Sequence, residues 1–143
     1  MKSVSKIFNS NISQQLFYLL VLVLFLRIDL VFENNTPTGG DMGAHIVAID
    51  TFIKDFLPNL QINGWSNDWF GGYPLYYFYF PLPAIITYIL NILFSFGIAF
   101  KIMVVMSTIL VVYSIEKLMR KTSNQISIYG ATAGLFYVFT ESF

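Results

Sequence analysis

The stretch from Leu16 to Phe32 is almost wholly apolar. At a rise of about 1.5 Å per residue it is long enough to cross a hydrocarbon core of about 30 Å, provided the bilayer thins slightly or the end residues snorkel. A second run, Ala99 to Met119, is longer still. Segments of this length leave little polar surface for a small water-soluble domain. Of the 143 residues, 56% are hydrophobic and 11% charged, against about 25% charged in soluble domains. The expected fold class is therefore all-α: a multispanning transmembrane helical protein whose first partner is the lipid bilayer. Eight basic and eight acidic side chains cancel, so no global field draws nucleic acid, which is excluded as a partner. The absence of cysteine excludes disulfides, thiolate metal sites and cysteine nucleophiles.

Lys2 and Lys6 precede the first run, and no small-residue cleavage site follows it, so residues 14–32 are expected to form an uncleaved signal anchor and first span. Arg27 and Asp29, near its far end, either snorkel to the interface or present an inward-facing charge near a phosphate, with snorkelling the preferred reading. From Glu33 to Phe80 the acids are Glu33, Asp41, Asp50, Asp55 and Asp68, and Lys54 is the one base. A loop poor in Lys and Arg belongs outside the cytoplasm, which makes residues 33–98 a large outer loop and places the N-terminus in the cytoplasm. Within it, the turn cluster Thr36-Pro37-Thr38-Gly39-Gly40 puts Asp41 at an N-cap. A helix over 42–57 should follow, with Met42, Ile46, Ile49, Ile53 and Phe56 at helical spacing. Such a stripe predicts an amphipathic helix lying parallel to the membrane surface.

Pro83 suits a helix start and Gly97 a helix end. The intervening 83–96 covers only about 20 Å at helical rise, so it is expected to be a half-buried or re-entrant helix; a full crossing is the alternative. Residues 99–119 then form the second span, closed by Lys117, Arg120 and Lys121 on the cytoplasmic side. Residues 125–143 begin a third. The chain stops at Glu141-Ser142-Phe143 directly after an apolar stretch, and it is expected to be the N-terminal piece of a longer protein, inactive by itself.

Chemistry concentrates in the outer loop. Asp41 and His45 stand four positions apart, on one helical face. A carboxylate beside a histidine acts as general base, as a pair of metal ligands or as an oriented dyad; a helix cap with a nearby interfacial histidine is the competing explanation. Asp68 either forms an Asn-Asp turn or lines a site. Trp65, Trp69 and Tyr73 either anchor the loop at the membrane interface or stack on sugar rings. Asn34-Asn35-Thr36 fits a glycosylation acceptor in a host that glycosylates.

The segments Gly39-Gly40-Asp41-Met42-Gly43-Ala44-His45, Gly64-Trp65-Ser66-Asn67-Asp68-Trp69-Phe70-Gly71-Gly72-Tyr73-Pro74-Leu75 and Phe78-Tyr79-Phe80-Pro81-Leu82-Pro83 resemble the bacterial membrane proteins described as related to 6-pyruvoyl-tetrahydropterin synthase. That family looks like a branch of the GT-C superfamily of glycosyltransferases that use lipid-phosphate-linked sugars. The resemblance covers about the first 120 residues, and it implies a GT-C-like fold with an early loop acid at Asp41. In the superfamily this acid is the general base or helps to bind a divalent metal. Many relatives carry a second acid nearby, where this chain has His45.

The resemblance thus implies a membrane glycosyltransferase in the bacterial inner (plasma) membrane, taking its sugar from a polyprenyl-phosphate donor at the outer face. Asp41 and His45 would be catalytic, Asp41 a metal ligand if a metal is used, and Asp68, Trp65, Trp69 and Tyr73 substrate-binding. The alternative is a non-catalytic scaffold or a lipid or polysaccharide translocation component. A soluble pterin-forming enzyme would want a histidine-rich zinc site, and His45 is the sole histidine.

Overall fold

The computed structural model describes residues 16, 19–21, 23, 24, 26–68 and 71–123. The chain divides into two compact units, Val31–Val104 and the combination of Met1–Leu30 with Val105–Phe143. Along the chain run α1 (Ile28–Val31), α2 (Met42–Thr51), a π-helical turn (Phe52–Phe56), a 3-10 turn (Leu57–Asn59), β1 (Gly64–Ser66), β2 (Tyr73–Leu75), α3 (Leu82–Asn91) and α4 (Phe96–Ser123).

This is not the all-α, multispanning, GT-C-like arrangement expected from the sequence. β1 and β2 form a two-stranded antiparallel sheet, with Gly64 opposite Leu75, Trp65 opposite Pro74 and Ser66 opposite Tyr73. Among the described residues a single helix is long and apolar enough to cross a membrane, over Phe96–Ile115. Only 22% of its most apolar stretch is buried inside the protein, whereas a core helix of a soluble protein would be mostly covered. The expected first span does not run on as one helix. Arg27 takes a left-handed φ of 45°, its guanidinium folds onto Asp29 at 2.8 Å, and the helix that follows has four residues. The left-handed conformation costs a residue with a Cβ roughly 1–2 kcal/mol and ends a helix. The expected third span, 125–143, lies outside the described residues.

In the unit Val31–Val104, the apolar stripe of α2 is covered by protein. Ile49, Phe52 and Phe56 are buried with Leu75, Ala84, Phe100 and Met103, and Met42, Ile46 and Ile53 pack against that cluster. A helical repeat shows that one face is shielded from water, but the shield here is the chain itself and not a membrane surface. Fully burying Phe52 and Phe100, each 1% exposed, stabilises the unit by roughly 1.5–3 kcal/mol apiece. Tyr76 adds an edge-to-face contact on Phe52, with centroids 5.3 Å apart, and burial pushes its hydroxyl pKa up to about 12.

Helical geometry widens at the π turn, where Thr51 and Phe52 are buried in succession. It then tightens and stops at Leu60, which is left-handed at φ 56°. A two-stranded ribbon is marginal by itself, and this one is held by burying Ser66 and Leu75. The indole of Trp65 also lies so close to Gly72 that a Cβ there would come within 2.5 Å of it. The helix expected over 83–96 is instead α3, ending at Asn91, and Gly97 lies in the first turn of α4. A Cβ on Gly97 would meet the Asn35 carbonyl oxygen at 2.5 Å. One turn on, Lys101 Nζ donates to the Glu33 carbonyl at 2.7 Å and to Asn35 Oδ1 at 2.9 Å, and Asn35 Nδ2 donates to Glu33 Oε2 at 2.9 Å. These contacts hold residues 33–35 against the start of α4.

The other unit contains Arg27 and Asp29, already described, and the part of α4 beyond Val104. There the ammonium of Lys117 lies over the Tyr113 ring, 5.9 Å from its centroid.

Candidate functional site

Gly39 and Gly40, at φ 111° and 49°, turn the chain sharply into α2. Glycine is the residue that takes such angles without a Cβ penalty. Asp41 stands at the N-cap with φ −85° and ψ 10°, and its side chain makes no capping hydrogen bond. The backbone closes the first turn instead, with Met42 N–H on the Gly39 carbonyl at 3.1 Å and His45 N–H on the Asp41 carbonyl at 3.2 Å. Asp41 and His45 are both exposed. Their spacing of four puts the two side chains on neighbouring positions of one face. The carboxylate is therefore not consumed by the cap, the role that competes with a chemical one.

Asp68 is placed differently. Thr51, 4% exposed at the other end of α2, donates its hydroxyl to Asp68 Oδ2 at 3.0 Å. The Asp68 backbone N–H donates to Ser66 Oγ at 3.3 Å, a turn closed by the Ser66 hydroxyl two residues back and not the Asn-Asp side-chain turn expected from the sequence. Thr51 lies ten positions beyond Asp41, at the last residue of α2, about 15 Å at helical rise. The two acids thus lie at opposite ends of one helix. Trp65 is 63% exposed on β1, and Tyr73 is half-buried on β2 opposite Ser66. Trp69 lies outside the described residues. The structure joins Trp65, Asp68 and Tyr73 on one hairpin and keeps Asp41 and His45 on the far end of the helix that supports it.

Zinc sites use at least three protein ligands. Among the described residues no group of three or more His, Asp or Glu side chains is gathered as a metal site would require. Asp41 and His45 supply two protein donors, so a divalent metal held there would take its remaining ligands from water or a substrate phosphate. No family model, curated protein or solved structure matches this chain.

Sequence reasoning passed over Thr51, Ser66 and Lys101. Lys101 carried a signal: it is the sole base between Lys54 and Lys117, set in an apolar helix, and a charge in such a segment is costly unless it is bonded. Thr51 and Ser66 carried none, since their value comes from partners brought in by folding.

Proposed function

We propose that this protein transfers a sugar from a polyprenyl-phosphate-linked donor to an acceptor hydroxyl at the outer face of a bacterial plasma membrane, with its N-terminus in the cytoplasm. The observation that carries this reading is the Asp41 carboxylate, exposed and unused by the helix cap it occupies. The resemblance of the segments around Asp41 and Asp68 to lipid-phosphate glycosyltransferase relatives supports it, as does a helix able to cross a membrane in the same chain. In the proposed step, the acceptor oxygen bonds to the anomeric carbon of the sugar. The bond from that carbon to the phosphate oxygen breaks, and polyprenyl phosphate leaves with the bonding pair. Asp41 takes the acceptor proton. His45, one turn along, orients the carboxylate or the acceptor. Trp65 and Tyr73 offer an aromatic face and a hydroxyl to a sugar ring.

The test is transfer of labelled sugar from the polyprenyl-phosphate donor in membranes of cells carrying the native gene. Asp41→Asn should lower the rate by about 10²- to 10⁴-fold, the usual range for a positioned acid or base. Unchanged transfer removes Asp41 from the mechanism. A non-catalytic scaffold or translocation component is the second reading, favoured by the hairpin, where Asp68 is bonded to Thr51 and not held open.

A further inference from the structure

Between Asp68 and Lys101 no residue carries a charge. Such a gap is ordinary for a buried segment, but much of this one is not buried. Tyr77, Phe78, Tyr79, Phe80 and Leu82 are exposed, with Phe78 at 78% and Phe80 at 87%; so are Ile92 and Leu93, at 68% and 78%. Elsewhere in the same unit, exposed positions include Glu33, Asp41, His45, Lys54, Asp55 and Asp68. The contrast is one of composition between two sets of exposed residues: one has the charges expected in water, and the other has phenylalanines, tyrosine hydroxyls and aliphatic side chains. Aromatic rings with a polar tip beside fully apolar neighbours are the mixture found at the headgroup level of a bilayer.

We infer that the two exposed apolar segments flanking α3, a rim of Tyr77–Leu82 at its start and Ile92–Leu93 at its end, dip into the lipid interface as a second, non-spanning membrane contact. Continuity with the span favours lipid as the occupant. Leu93 is three residues before Phe96, where the membrane-crossing stretch begins, and the uncharged sequence runs without a break from the rim into that helix. Lys101, the first charge reached, is held by Glu33 and Asn35, as suits a cation at the edge of the hydrocarbon. An apolar surface of this kind sits about 5–10 Å into the headgroup and acyl boundary. The inference rests on α4 crossing a bilayer, and not on the glycosyltransfer reading.

Because the chain has no cysteine, single thiols report position cleanly. The variants Phe78→Cys, Phe80→Cys and Leu93→Cys would carry an environment-sensitive fluorophore in vesicles of phosphatidylethanolamine and phosphatidylglycerol. Leu110→Cys, 59% exposed within the span, and Asp55→Cys serve as references. All five positions are exposed, so the labels do not intrude on the core. Lipids bearing a spin label near the headgroup should extinguish the fluorescence at 78, 80 and 93. Lipids labelled near the chain end should extinguish it at 110, and neither should affect 55. Quenching at 110 without quenching at 78, 80 and 93 overturns the rim contact and leaves the span standing. Loss of quenching at all four sites overturns both. Shielding of 78, 80 and 93 from aqueous iodide without lipid quenching assigns the rim to a second copy of the chain or another protein, and also overturns the inference.

Discussion

Asp41 and Asp68 are both exposed acids, and both stand beside α2, yet the fold uses them in opposite ways. At the C-terminal end of the helix, Asp68 accepts the buried hydroxyl of Thr51 and so ties the hairpin to the helix. At the N-terminal end, Asp41 occupies the position where a carboxylate normally caps, and its side chain makes no such bond. A carboxylate bonded to a buried hydroxyl is architecture, and its removal should cost stability. One that stands clear of its own helix is available for a proton or a substrate.

Substitutions should separate the two roles. The largest effect expected is on turnover, where Asp41→Asn loses about 10²-fold or more while thermal unfolding in detergent stays within about 0.5 kcal/mol of the parent. A comparable loss of stability in that variant would erase the contrast. Next is Phe52→Ala, which empties the centre of the cluster supporting both ends of α2 and should destabilise by about 3–5 kcal/mol in denaturant titration. Asp68→Ala should cost only about 1 kcal/mol. A double-mutant cycle with Thr51→Val should then show coupling of roughly 0.5 kcal/mol or more, and additive effects would mean the bond does not hold the hairpin.

A further effect is one of pH. Tyr76 keeps its proton up to about pH 12 because burial raises its pKa, whereas an unfolded tyrosine ionises near pH 10. Its contribution is therefore complete below about pH 10 and is lost as pH rises through about 12. Tyr76→Phe should flatten the alkaline limb of the stability profile, and an unaltered limb would show that Tyr76 is not its source.

Parts of this molecule are legible in the residues. Turn chemistry at Gly39 and Gly40 marks the start of α2, since both take positive φ, and the apolar length of α4 shows in composition alone. The stripe Met42, Ile46, Ile49, Ile53 and Phe56 announces a shielded face, but periodicity does not say whether lipid or protein provides the shield. The answer is Leu75, Ala84, Phe100 and Met103, all remote in sequence. Strands of three residues containing Gly64 and Pro74 are too short to show an alternating pattern, and their tryptophan and tyrosine mimic an interfacial belt. The apolar run Leu16–Phe32 promised one continuous helix, which the left-handed Arg27 breaks. At the site, the proximity of Asp41 and His45 follows from spacing. The bond that occupies Asp68 does not, because Thr51 is brought to it only by the folded chain.

The contact at Gly97 has an evolutionary consequence. With an Asn35 oxygen where any Cβ would project, a single methyl group is enough to prise apart residues 33–35 and the helix beneath them. The Lys101 clamp would have to stretch in response. Drift at that position is closed in one step, and repair would demand a concerted change on both sides of the seam.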